Sequence, residues 1–378
     1  MTRKLFDLYY IVGVLLCLAS CKGGSTAAMF TDADSIAMRY SQLLTMRQTD
    51  SFIVAEIKNP WDTTKVLHRY VLVAKDKPLP ESLPEGDVIR TPLERSVFYT
   101  SMHTALMCEL GAADAVAGIC NPEYISTDIL RKRLDSGGIV NCGDGPAPDM
   151  EKIIDLAPDA ILLSPFENSG SYGKLGNIGI PIIECADYME TGALGRAEWM
   201  RFYGLLVGKR EKADSIFAAV ENDYNTLKAK VGKADIKPTI VDGNKFGSTW
   251  YVAGANSTVG MMIADAGGSY VFNNEKATGS VPYAPEVVFE RAQNAEVWMM
   301  KYSGTADITY SQLATEWANY AEMGAYKHKN VYACNLRKVA FYEETPFHPN
   351  LLLRDYIKIF HPEILKDHQL RYYKKIEE

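Results

Sequence analysis

The residues able to do chemistry are scattered, and their spacing excludes most of it. His68, His103, His328, His348, His361 and His368 share no short interval, whereas a zinc or manganese site needs three or four ligands converging on one ion. No metal site is expected. The chain has no Gly-x-Ser-x-Gly elbow, no His-Glu-x-x-His and no Gly-Lys-Ser/Thr phosphate loop. Gly173, Gly176 and Gly179 have the wrong spacing for a dinucleotide fingerprint. No catalytic residues are assigned. What does recur is an acid opening a short helix before a strand. Glu151 to Ala160 matches Glu286 to Ala295 position by position in character. Part of that likeness follows from the preference for acids in first helical turns; the remainder reads as an internal repeat. Cys21 is the other notable group. It follows Thr2-Arg3-Lys4, an apolar run from Tyr10 to Leu18, and the small residues Ala19 and Ser20, a secretory signal pattern. Beyond Cys17 and Cys21 stand Cys108, Cys120, Cys142, Cys185 and Cys334. An odd, scattered set is no disulfide framework. Cys120, Cys142 and Cys185 each end an expected buried strand and read first as small hydrophobes, with one disulfide left open.

The elements that must position these groups follow from periodicity. Without its signal the chain is too long for one ordinary core, so two domains are expected. The net charge of −7 leaves no basic footprint for nucleic acid. Residues 27–50 read as a polar helix, followed by a β-hairpin over 52–57 and 66–73 and a proline-rich connector over 77–84. From 95 onward short apolar runs alternate with helix-length segments, as parallel sheets with helices on both faces require. The runs include 96–99, 115–119, 139–142, 160–163 and 181–185, then 239–241, 296–300 and 331–333. Between the two series, Ala213, Ile216, Phe217, Val220, Tyr224, Leu227 and Val231 mark one face of a single helix over 209–231. The expected fold is α/β: two doubly wound parallel-sheet lobes joined by one long helix, with an N-terminal hairpin extension. The expected segments are 1–20 signal, 21–94 tether and extension, 95–208 first lobe, 209–232 linking helix and 233–378 second lobe.

Leu18-Ala19-Ser20-Cys21 resembles the lipobox of bacterial lipoproteins, which implies cleavage before Cys21 and a lipid on its sulfur. Four later stretches resemble the helix-linked substrate-binding lipoproteins of ABC importers, which carry ferric siderophores, haem or cobalamin. They are Arg95-Ser96-Val97-Phe98-Tyr99 through Val116-Ala117-Gly118, Pro148-Asp149-Met150-Glu151 through Ile161, Trp250-Tyr251-Val252-Ala253-Gly254 through Gly268, and Pro285-Glu286 through Val297. The resemblance implies that Glu151 and Glu286 meet arginines of a permease dimer, one from each lobe. It also implies a lipid-anchored protein of the cell envelope, facing the periplasm, with a metal chelate as cargo and no resident cofactor. The N-terminal extension is not needed by that family core.

Ligands of doubly wound lobes bind beyond the C-terminal strand ends. Those loops include Tyr99 to His103, Asn121 to Tyr124, Ser164 to Glu167, Asp187-Tyr188, Asn244 to Tyr251, Tyr302-Ser303 and Tyr342 to Glu344. They are rich in aromatic residues, with only Lys174, Lys245 and Lys301 as nearby cations. That balance suits a flat macrocycle such as cobalamin or another tetrapyrrole better than an anionic ferric siderophore, which is the alternative. The expected contacts are Tyr99, Met102, His103, Phe166, Tyr188, Trp250, Tyr251 and Tyr302. Trp250 has a second reading as a core residue. An enzyme on this fold and a surface lipoprotein without transport are the remaining classes.

Overall fold

The computed structural model describes residues 34–167, 172–232 and 237–377. Cys21 and the signal segment lie outside the described residues. The first described element corrects an expectation. Residues 34–48 form strands, not a helix: Asp34–Ile36 and Leu44–Gln48 open a five-stranded sheet completed by Ile53–Lys58, Val66–Ala74 and Asp87–Thr91. The first four strands pair antiparallel, and the last runs parallel to its neighbour. Leu44 and Met46 are buried while Thr45 and Arg47 are exposed, the alternation of a half-buried strand.

Long-range partners decide this segment. Between its first two strands the backbone N–H groups of Arg39, Tyr40 and Ser41 donate to the buried carboxylate of Glu198 at 2.8–2.9 Å. Those of Gln42 and Leu43 donate to buried Glu190, which also accepts from the Trp199 indole. A helix here would strip both buried carboxylates of their backbone donors, leaving Glu190 with the Trp199 indole and Glu198 with Arg201, at a cost of roughly 1–3 kcal/mol each. The sheet also covers the free edge of the next one. The Tyr70 hydroxyl donates to Ile182 O at 3.0 Å and accepts from Glu184 N at 2.8 Å.

The first lobe is a parallel sheet in the spatial order Ile182–Glu184, Ala160–Leu163, Ser96–Phe98, Val116–Ile119, Val140–Asn141. The second lobe has Ser269–Tyr270, Thr239–Asp242, Val297–Tyr302 and Val331–Asn335 in parallel, with Lys374–Lys375 antiparallel at the far edge. Central strands such as Ala160–Leu163 are buried throughout, as sheets covered on both faces must be. In each lobe an acid next to one strand holds the start of its neighbour. Asp159 accepts from Glu94 N and Arg95 N, and Glu296 accepts from Thr239 N.

The helix Arg210–Val231 joins the lobes and buries Ala213, Phe217, Val220, Tyr224, Leu227 and Val231. Its polar side is tied as well. Glu221 accepts from Tyr40 and pairs with Arg39, while Asp223 accepts from Asn350 and pairs with Arg354.

Candidate functional site

Order reversal in a doubly wound sheet opens a crevice at the C-terminal strand ends. In the first lobe the reversal lies between Ser96–Phe98 and Ala160–Leu163, so Tyr99 and Phe166 flank it. In the second it lies between Thr239–Asp242 and Val297–Tyr302, where the Lys301 ammonium sits 3.3 Å from Asp242. The lobes touch through the loop after Val116–Ile119 and through the helix Ser101–Leu110. Ser126 N donates to Glu343 at 2.9 Å, and His348 pairs with Glu109 at 2.7 Å.

The large aromatic side chains left in solvent gather at these strand ends. Tyr124 follows Val116–Ile119, Phe166 follows Ala160–Leu163, Phe246 and Tyr251 follow Thr239–Asp242, and Tyr342 follows Val331–Asn335. Their exposures run from 52% for Tyr251 to 82% for Phe246. The last two stand on an antiparallel sheet absent from the expected fold, formed by Lys245–Phe246, Thr249–Ala253 and Ser280–Tyr283. Phe246 pairs with Thr249, two residues from Tyr251, so Phe246 and Tyr251 share the outer face. The inner face is anchored by Trp250, fully buried beside Trp298 and Tyr320 with its indole N–H 3.4 Å from Asp242 O. Trp250 is thus a core residue, which corrects its expected place in the ligand wall.

His103 and Met102 are corrected for the same reason. Both are buried in the helix Ser101–Leu110. His103 Nε2 lies 3.0 Å from Asp187 Oδ1, and the same carboxylate accepts from Tyr203 at 2.8 Å and from Arg196 at 3.1 Å. Burial would raise the Asp187 carboxyl, but the His103 and Arg196 partners outweigh it and hold the group below the usual range. This network braces the wall from behind. Tyr99 is half-buried with its hydroxyl shut in beside Cys120, and burial pushes that phenol upward. Tyr188 is half-buried and donates to Pro165 O at 2.6 Å, fixing the turn that carries Phe166. Tyr302 lines a groove of about 560 Å³ with Asn335, Lys338 and Lys374, and its hydroxyl accepts from Ile308 N.

Of the three lysines near the cleft, Lys301 and Lys245 are engaged and Lys174 is exposed. Burial works against the Lys301 charge, and Asp242 overrides it, so its ammonium is held above the ordinary lysine range. Lys245 donates to Gly247 O at 3.4 Å and Arg337 to Ser303 Oγ at 3.2 Å. Among the described residues no cluster of three His, Cys, Asp or Glu could hold a metal ion.

Glu151 and Glu286 are both exposed in first helical turns, in Met150–Leu156 and Pro285–Ala292. The helices start differently. Asp149 accepts from Lys152 N in the first, whereas Pro285 opens the second. Tyr124, Phe246 and Tyr342 lay within the loops the sequence marked but were not singled out there. The signal available was an aromatic residue following a strand end.

The chain is similar to several known proteins in sequence and in fold. An uncharacterized lipoprotein of Methanocaldococcus jannaschii is 27% identical over 323 residues, 81% of this chain and 76% of that protein. A cobalamin-binding protein of Halobacterium salinarum is 25% identical over 253 residues, 65% of this chain and 64% of its own length. A periplasmic binding protein from Veillonella parvula shares the fold with a TM-score of 0.60 at 15% identity, covering 72% of this chain and 93% of that one. A protein of an ABC-type Fe3+-hydroxamate transport system from Saccharomonospora viridis does so with 0.56 at 18%, covering 71% and 94%. Among the described residues no helix is long and apolar enough to cross a membrane. The family model for periplasmic binding proteins matches residues 97–336, well over half of the chain, which therefore belongs to that family of ABC-importer substrate-binding proteins, whose members capture a small molecule and do not transform it.

Proposed function

We propose that this protein is the lipid-anchored receptor of an importer for a metal chelate, with cobalamin or a related tetrapyrrole as cargo. The observation that carries the reading is the set of exposed aromatic rings on the strand-end loops of both lobes: Tyr124 and Phe166 on one, Phe246, Tyr251 and Tyr342 on the other. Exposed aromatic groups on a rigid frame are a recognition surface for flat, apolar ligands anchored by a few polar contacts. Tyr99, Tyr188 and Tyr302 complete the wall, and Met102, His103 and Trp250 support it. Lys301 and Lys245 already have intramolecular partners, leaving Lys174 as the exposed lysine nearby, and so sparse a set of cations favours a ligand without strong negative charge. The cobalamin-binding relative supports the same choice. A ferric hydroxamate is the second reading, favoured by the Saccharomonospora viridis neighbour.

In this reading the lipid on Cys21 keeps the body at the membrane, facing the periplasm. Glu151 and Glu286 meet cations on the two halves of the permease. Charge pairs of this exposed kind serve orientation and on-rate more than affinity. Calorimetry of the purified protein against cobalamin, haem and a ferric hydroxamate tests the proposal. One-to-one binding of a corrinoid or haem is expected. Binding of the hydroxamate alone selects the second reading, and no binding to any of the three removes both. Cys21→Ser should move the protein from the membrane to the soluble fraction; persistence on membranes after a high-salt wash would refute the lipid anchor.

A further inference from the structure

Cys120 and Cys142 stand on neighbouring strands of the first lobe. The parallel register sets Gly118 against Val140 and Ile119 against Asn141. Cys142 N donates to Ile119 O and closes that last pair, and Asn121 N then reaches past Cys142 to Gly143 O. The two cysteines are the next residues on each strand after the pair Ile119–Asn141. Neighbouring strands lie about 4.8 Å apart, inside the Cα window of about 4.4–6.8 Å that a disulfide needs. Both side chains leave the sheet on the same face, since both enter one small apolar cluster with Val97, Ile153, Ile161 and Leu163. The Cys120 sulfur points toward Cys142, 3.8 Å from its carbonyl oxygen. The Cys142 sulfur leans over Gly118, where an added Cβ would come within 2.8 Å of it.

The place is one where a covalent tie has structural work. Val140–Asn141 is the edge strand, two residues long and paired on one side. Directly after it the chain makes a short hairpin and enters the helix bearing Glu151, with Asp149 N donating to Cys142 O at 2.8 Å. Among the other described cysteines, Cys108 lies in a helix and Cys334 pairs across its sheet with Lys301.

We propose that Cys120 and Cys142 are oxidised to a structural disulfide that staples the edge of the first lobe beneath the Glu151 helix. The oxidant is a disulfide-bearing thiol oxidant of an extracytoplasmic compartment, a setting that rests on the envelope reading above. One cysteine thiolate attacks the oxidant's disulfide and releases one thiol. The second thiolate attacks the mixed disulfide and releases the other, so two electrons and two protons pass to the oxidant. In the folded lobe both thiols are buried, and burial pushes Cys120 up to about 12 and Cys142 up to about 11. Neither is a ready nucleophile there, so the bond forms while the lobe folds and is then shielded from exchange.

The test is a thiol map of the full chain purified from the cell envelope, alkylated in denaturant without reductant and cut with trypsin. Peptides 96–131 and 134–152 should appear joined and two hydrogens lighter, with Cys185 and Cys334 alkylated. Because 96–131 also holds Cys108, the same link must survive in Cys108→Ser and vanish in Cys120→Ser. Melting should fall by several degrees when wild type is reduced. A second arm refolds the reduced full chain in a glutathione redox mixture. A link in both arms supports the proposal. A link in the refolding arm alone keeps the pairing and overturns the envelope setting. Free Cys120 and Cys142 in both arms, or pairing of either with another cysteine, overturns the staple. Chelate binding is read separately, so failure of the ligand reading leaves these outcomes intact.

Discussion

The two lobes place aromatic rings at the same strand ends and brace them by opposite means. Behind the first rim lies a buried polar network: Asp187 gathers His103, Tyr203 and Arg196. Behind the second lies an aromatic block, Trp250 among Trp298, Trp317 and Tyr320, with the Lys301–Asp242 pair at its edge. A polar brace fixes angles through hydrogen bonds but fails badly when one member is lost. An aromatic brace fixes shape through contact area and fails in proportion to the volume removed.

The contrast breaks most visibly when each brace loses its centre. Trp250→Ala should cost about 3–5 kcal/mol of stability, and Asp187→Ala a similar amount because it strands buried cationic and polar partners, both read by urea unfolding. Trp250→Phe should recover most of the first loss, whereas Asp187→Asn should recover little of the second. Next in size are the rims. Phe166→Ala and Tyr251→Ala should each weaken chelate binding by about 1–3 kcal/mol with little change in melting, in the range of a contact aromatic. An unchanged affinity in both would mean the rims face something other than cargo. Acid sharpens the comparison further. The Asp187 carboxyl is held below its unfolded value, so its contribution is present above the ordinary aspartate range and lost as pH falls below it. Wild type should therefore lose stability there faster than Asp187→Asn, measured by melting across an acid series. The smallest effect on the isolated protein should come from reversing Glu151 and Glu286 together. Stability should shift by no more than about 0.5 kcal/mol and ligand affinity not at all, while uptake through the importer is lost. Uptake at the wild-type rate would leave the two acids serving only their helix dipoles.

The lobes were legible in sequence because their strands are continuous apolar runs with a fixed partner in the period. Ala160–Leu163 lies where the sequence predicts it, and the linking helix starts one residue after the predicted boundary. The N-terminal hairpin was legible, as Ile53–Lys58 and Val66–Ala74, but the segment 34–48 before it was not, for a physical reason. Its loop is held by Glu190 and Glu198, about 150 residues away, and local pattern carries no trace of such partners. The site was legible as a set of loops and poorly as individual residues. Trp250 precedes Tyr251 in the same strand, and alternation sends one inward and the other outward; the phase depends on pairing with Ser280–Tyr283, which no local motif announces. His103 follows the same logic on a helix, where its buried face is set by Asp187.

The linking helix has a kinetic consequence. Glu221 ties its middle to the N-terminal sheet and Asp223 ties it to the second lobe, so the joint resists bending and yields mainly by twist. A carrier built on such a torsion bar meets its cargo with the cleft already standing at its working width. Capture then resembles adhesion to a shaped wall, with little closure to slow it, and small-angle scattering profiles of the empty and loaded protein should nearly superimpose. The cargo still leaves at its own dissociation rate; faster release at the proposed permease is then the work of whatever grips both lobes at once and pries them apart.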